Sequence, residues 1–213
     1  MDFVLNGDAP GRVTVLLAHG AGAAMDTPWM TCLAEGLAGR GLRVARFEFD
    51  YMAARRTGGP KRPPPKVERL ADEYRDAIDA LPRDGALIIG GKSMGGRVAS
   101  LIADDLGDRI AGLLCLGYPF HPQGKPGTLR VAHLADLATP TLICQGTRDA
   151  FGTRAEVATY ALSDRIRVHW LEDGDHDLKP RKRVTGRGLD DHLGEVAQEA
   201  EAWIGGLRGA YVT

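Results

Sequence analysis

Ala86-Leu87-Ile88-Ile89-Gly90-Gly91-Lys92-Ser93-Met94-Gly95-Gly96 is the stretch on which the fold turns. Four apolar residues run without a break into a glycine-rich turn, and a helical stripe of Val98, Leu101, Ile102 and Leu106 follows. An apolar run, a sharp turn and a helix in immediate succession form the strand-turn-helix setting of a nucleophile elbow, G-x-S-x-G. The turn is so tight that side chains two residues before and after the serine would collide, and Gly91 and Gly95 remove them. Such a turn lifts the Ser93 hydroxyl above the sheet and points the amino end of the next helix at the place where an oxyanion would form.

Gly91-Lys92-Ser93 also ends the phosphate-loop pattern G-x-x-x-x-G-K-[ST]. That pattern needs a glycine at position 86 and flexible residues after it, where this chain has Ala86, Leu87, Ile88 and Ile89. Lys92 is read instead as a side chain that points away from the nucleophile or helps to hold an anionic group.

The same alternation of apolar runs and helical periods extends along the chain. Strands are expected over Val13–Ala18, Leu42–Phe49, Ala86–Ile89, Gly112–Leu116, Thr141–Gln145 and Ile166–Leu171, with Phe3–Leu5 as an antiparallel edge strand before a turn-rich Asn6–Gly11. Met30, Leu33, Ala34 and Leu37 form a helical stripe that begins after Thr27 and Pro28 as cap and first-turn residue and stops at Gly41. Further stripes run from Val67 to Leu81 and from Leu189 to Leu207. Near-continuous apolar strands separated by helices imply an α/β fold: a mostly parallel twisted sheet of about six or seven strands, with helices on both faces.

At 213 residues the chain is read as one domain, 1–213. A net charge of −1 gives no electrostatic reason to expect nucleic acid. The opening Met1–Pro10 lacks the basic and apolar segments of a secretory signal or membrane span, so the expectation is a cytoplasmic protein without membrane association. Cys32, Cys115 and Cys144 lack C-x-x-C spacing, and two of them lie in apolar runs, so no disulfide framework is expected. Arg55–Lys66, with four prolines and two glycines, reads as a solvated extended loop, and Tyr118–Ala138 is too short for a lid domain. The basic Lys179–Arg183 is likewise read as a solvated loop.

A serine nucleophile needs a base, and the base needs an orienting acid. The strand Thr141–Gln145 is followed by Gly146-Thr147-Arg148-Asp149, and Ile166–Leu171 by Glu172-Asp173-Gly174-Asp175-His176-Asp177. The order Ser93, Asp149, His176 is nucleophile, acid, base. Asp173 and Asp175 compete for the acid, and His121, which follows a strand, competes most seriously for the base. The acids around His176 are expected to raise its pKa rather than to hold a metal, since no second histidine stands at ligand spacing. No metal or cofactor is expected. His19-Gly20-Ala21-Gly22-Ala23 offers a small-residue loop after the first long strand, so the oxyanion donors are placed at the N–H groups of Ala21 and Met94. Phe49, Tyr118, Phe120 and His121 follow strand ends and are candidates for a substrate pocket, with core packing as the competing reading of the aromatics.

With those residues in view, the chain resembles the α/β-hydrolase superfamily, in particular the short lidless hydrolases related to NSL-complex subunit three and to dienelactone-hydrolase-like proteins. The similarity covers nearly the whole length. It runs from His19-Gly20-Ala21-Gly22-Ala23 through Phe49-Asp50-Tyr51-Met52, Gly91-Lys92-Ser93-Met94-Gly95-Gly96-Arg97 and Leu116-Gly117-Tyr118-Pro119 to Asp149 and Gly174-Asp175-His176-Asp177. It implies the superfamily strand order 4-3-5-6-7-8, a Ser93-His176-Asp149 triad and hydrolysis of a small-molecule ester or thioester through an acyl-enzyme. Dienelactone hydrolases place a cysteine where this chain has Ser93, so their substrate does not carry over. A catalytically idle interaction module, and a peptidase or acyltransferase using the same triad, are the alternative readings.

Overall fold

The computed structural model describes residues 1–7 and 13–211, with side chains described through residue 207. The expected turn over Asn6–Gly11 lies, beyond Gly7, outside the described residues. The strands are β1 (Phe3–Asn6), β2 (Thr14–Ala18), β3 (Arg43–Phe47), β4 (Leu87–Lys92), β5 (Gly112–Leu116), β6 (Thr141–Gly146) and β7 (Ile166–Leu171). They form one seven-stranded sheet in the order β1-β3-β2-β4-β5-β6-β7, and only β1 is antiparallel to its neighbour. From β3 onward this is the 4-3-5-6-7-8 order of the superfamily scheme, and β1 takes the expected edge position.

Burial on both faces explains the unbroken apolar runs. In β2 every residue is buried, yet Leu16 and Ala18 pack into one core cluster while Val15 and Leu17 pack into the other, on the period of two that a strand dictates. The first cluster is completed by α3 (Val67–Ala80) and α4 (Met94–Leu106), the second by α1 (Pro28–Ala38) and α7 (Leu189–Tyr211). Each fully buried leucine contributes roughly 1.5–3 kcal/mol of transfer free energy. Helix α1 starts as expected, because Thr27 Oγ1 accepts the Met30 N–H and Pro28 occupies the first turn.

Strand β4 outruns its expected end at Ile89, and its ladder continues to Lys92 opposite Leu116. Gly90 and Gly91 are therefore strand residues, where the sequence suggests a turn. A Cβ on Gly90 would lie 1.9 Å from Leu114 O, and one on Gly91 would lie 2.3 Å from Ala18 O. The glycines are required by the neighbouring strands. The loop expected from Arg55 begins later, because Arg55 and Arg56 form the last turn of a short helix, α2 (Asp50–Arg56). Two further one-turn helices, α5 (Arg154–Val157) and α6 (Lys182–Thr185), have too little periodicity to be read from sequence.

Candidate active site

Ser93 sits between β4 and α4 with φ 50° and ψ −111°. That conformation is disfavoured for a residue with a Cβ by roughly 1–3 kcal/mol and persists only where the surroundings over-determine it. The Ser93 N–H donates to Leu116 O at 2.8 Å and its carbonyl accepts the Arg97 N–H at 3.0 Å, so ladder and helix seize the residue from opposite sides. The glycine at 95 answers to the same crowding, since a Cβ there would stand 2.6 Å from Ala18 O and 2.8 Å from His19 O. What the elbow glycines avoid is thus the end of β2 rather than each other.

Ser93 Oγ lies 2.8 Å from His176 Nε2. His176 Nδ1 lies 2.9 Å and 3.1 Å from the two oxygens of Asp149, which is fully buried. A carboxylate only accepts, so Nδ1 carries the proton and Nε2 is left to accept from the serine. Asp149 is held in turn by Gln145, whose amide donates at 2.8 Å, and by the Phe151 N–H at 2.8 Å. Gln145 also accepts the Tyr118 N–H at 2.6 Å and donates to Tyr118 O at 3.2 Å, so one amide ties the ends of β5 and β6 to the acid. The only sequence signal for it is a lone amide in an apolar strand, a polar group that burial obliges to find partners.

The loop carrying His176 approaches through two glycines. A Cβ on Gly117, where φ is 62°, would meet His176 O at 2.7 Å, and one on Gly146 would meet Gly174 O at 2.3 Å. Phe151 packs against the imidazole with ring centroids 4.1 Å apart.

The competing acids and bases are occupied elsewhere. Asp173 pairs with Arg181 and Arg148, and the Arg181 hydrogen bonds hold its carboxyl well below the usual range. Asp175 accepts the Asp177 and Lys179 N–H groups within its own turn. His121 is buried, hydrogen-bonds Pro122 O and faces Glu156. His133 engages Ser100, His169 engages Glu195, and His192 engages Leu178 O. Burial pushes the Cys115 and Cys144 thiols up, away from nucleophilic thiolate. Among the described residues no cluster of three or more His, Cys, Asp or Glu side chains is placed to hold a metal ion.

A cleft of about 520 Å³ opens over Ser93. Ala21, Met94 and His176 line it, together with Pro64, Pro65, Val67, Leu70, Arg97, Arg130 and Phe151. The expected pocket residues do not. Phe49, Tyr118 and Phe120 have no exposed surface and His121 has 2%, because their side chains turn down into the core beneath the strand ends. The Pro64-Pro65 end of the loop expected to be solvated forms a wall of the cleft instead. The sequence context of Phe151 and Arg130 carries no signal for the cleft, and for Arg97 the signal is a basic residue four positions after Ser93, one helical turn on.

A mostly parallel seven-stranded sheet with a serine on its central strand-to-helix elbow defines the α/β-hydrolase class of fold. The chain belongs to the alpha/beta hydrolase domain family, whose model matches residues 11–205. It is similar in structure to a lidless α/β serine hydrolase from Xanthomonas campestris, with a TM-score of 0.72 and 20% identity over 95% of this chain and 88% of that one. Est1E from Butyrivibrio proteoclasticus gives a TM-score of 0.69 and 14% identity over 95% and 94%. A dienelactone hydrolase from Anabaena variabilis gives 0.65 and 23% over 94% and 88%. At these identities the likenesses establish a common fold. No helix among the described residues is long and apolar enough to cross a membrane.

Proposed function

We propose that this protein is a serine hydrolase that cleaves a small-molecule ester or thioester, with Ser93 as nucleophile, His176 as general base and acid, and Asp149 orienting the imidazole. The observation that carries the reading is the continuous hydrogen-bonded chain from Ser93 Oγ through both nitrogens of His176 to the buried Asp149 carboxylate.

In this reading His176 Nε2 takes the Ser93 proton as Oγ forms a bond to the acyl carbon. The carbonyl oxygen becomes an oxyanion and accepts the N–H groups of Met94, at the start of α4, and Ala21. Both residues border the cleft beside Ser93. Collapse breaks the bond to the leaving oxygen or sulfur, which receives the proton from His176. Water then attacks the acyl-serine, His176 accepts its proton, and release of the acid restores the Ser93 hydroxyl. Asp149 fixes the Nδ1–H tautomer throughout and stabilises the imidazolium.

A fluorophosphonate probe tests the nucleophile. Labelling of the native protein and its loss in Ser93→Ala are expected; no labelling, or equal labelling of the variant, overturns the proposal and favours an idle interaction module. Parallel assays with matched ester and amide substrates, and with competing acceptor alcohols, separate ester hydrolysis from peptidase and acyltransferase activity.

A further inference from the structure

We propose that the substrate carries, besides the bond that is cleaved, an anionic oxygen group, a carboxylate or a phosphate, which Arg97 and Arg130 bind inside the cleft. This rests on the hydrolase reading of Ser93 and specifies its substrate class.

Both arginines line the same cleft as Ser93 and His176, and both are partly buried. Among the described residues neither takes part in an ion pair, although Arg56, Arg75, Arg148 and Arg181 elsewhere in the molecule each have a carboxylate partner. Arg97 Nε is buried and has no hydrogen-bond partner among the described residues. Arg97 and Arg130 line one part-desolvated cleft, and burial, and after it the charge of Arg97, holds the Arg130 guanidinium below its ordinary pKa. The acid that lines the cleft does not relieve them, because Asp177 is committed to Lys92 at 2.7 Å.

A guanidinium taken out of water without a partner is costly, and a nearby second one compounds the cost. An oxyanion between the two forks offsets both, since planar guanidinium matches carboxylate and phosphate geometry with paired hydrogen bonds. Arg97 follows Ser93 by four residues, about 6 Å of rise along the helix between the two Cα atoms, and both side chains line the same cleft. An anion on the acyl chain or on a short leaving group reaches Arg97. Pro64, Pro65, Val67 and Leu70 present an apolar wall to the rest of the substrate.

The test compares mono-4-nitrophenyl glutarate with its neutral methyl ester as substrates for the native protein, Arg130→Gln and Arg97→Lys. Calorimetric titration with glutarate and with inorganic phosphate is run alongside on the same three proteins. Native protein is expected to favour the anionic ester in kcat/KM by about 10- to 100-fold, and Arg130→Gln to lose most of that ratio, as expected for removal of a charge-assisted contact. Arg97→Lys keeps the charge, loses the fork and reduces the ratio less. Tighter binding of glutarate than of phosphate identifies the anion as carboxylate, and the reverse identifies phosphate. A native ratio near one, or a ratio unchanged in Arg130→Gln, overturns the inference. If the fluorophosphonate fails to label Ser93, the hydrolase reading falls separately, and the titrations still decide the anion site: binding lost in Arg130→Gln sustains it, and absence of binding to native protein ends it.

Discussion

Lys92 and Asp177 clamp the two halves of the candidate site together. The first precedes Ser93, the second follows His176, and Lys92 Nζ stands 2.7 Å from Asp177 Oδ1 while also donating to His176 O at 3.3 Å. Trp29 closes the clamp, with its indole N–H on Asp177 O at 2.8 Å and its ring 5.1 Å from the ammonium. Because Asp177 is 64% exposed at its side chain, the pair is worth at most about 1 kcal/mol of stability. Its value lies in the register of the histidine loop. Lys92→Met is therefore expected to leave the melting temperature nearly unchanged and to lower kcat about tenfold through loss of alignment. Equal kcat in variant and native protein would show that the loop holds its register without the clamp.

Asp149→Asn is expected to lower turnover by about 10⁴, as in the analogous triad, because the amide stabilises the wrong imidazole tautomer. Gln145→Leu acts one step further out. It removes a hydrogen bond from Asp149 and leaves the buried Tyr118 N–H unpaired, so a loss of roughly 1–3 kcal/mol should appear in the denaturant midpoint. Turnover should fall with it and KM should not. A Gln145→Leu protein with native stability would mean that Tyr118 finds another acceptor.

Gly146→Ala puts a Cβ within 2.3 Å of Gly174 O and 2.5 Å of Asp175 O, both main-chain atoms that can yield only by moving the histidine loop. The strain should cost about 1–3 kcal/mol. Fluorophosphonate labelling of Ser93 should slow by more than about tenfold, following loss of the aligned base, while far-UV circular dichroism stays native. Labelling at the native rate would contradict the packing described.

Acidification should destabilise the fold from below about pH 6.5, the ordinary histidine range. Burial holds His19 below that value: Nδ1 donates to Gly20 O at 2.6 Å and Nε2 accepts the Phe49 N–H at 3.2 Å, so a second ring proton has no acceptor. Glu48, Arg55 and Arg56 are the charges that act on it, and the half-buried His133 shifts in the same direction. Since the unfolded chain takes up protons that the folded chain refuses, stability is full above the unfolded pKa and falls as the pH drops toward the lowered folded one. The melting temperature of native protein should fall across this window, and that of His19→Asn less steeply. A flat native profile would refute the assignment.

The sheet was legible because its signals are local. Unbroken apolar runs of strand length, helical stripes between them and caps such as Thr27 depend on neighbours in the chain, and β2, β5 and β7 end where those signals end. Gly90 and Gly91 misled for the opposite reason: glycine marks a turn in sequence, whereas here it answers to strands β2 and β5 passing too close for a Cβ. Phe49, Tyr118 and Phe120 sit after strand ends, as pocket residues do, but their side chains fill the core while Phe151 faces the cleft. Period and position in a strand do not determine which way a residue points once the strand has ended.

By itself the sequence determined the class of sheet, the elbow at Ser93 and the order of serine, aspartate and histidine, since each rests on residue types at fixed spacings. Only the tertiary structure decided that Asp149 rather than Asp173 meets His176, because the choice depends on Arg181 and Arg148 claiming one carboxylate while burial and Gln145 direct the other. It alone decided, too, that Arg97 and Arg130 share the cleft without a carboxylate partner among the described residues. A charge is neutralised by whatever the fold brings near it, and that neighbour is set by packing across the sheet rather than by distance along the chain.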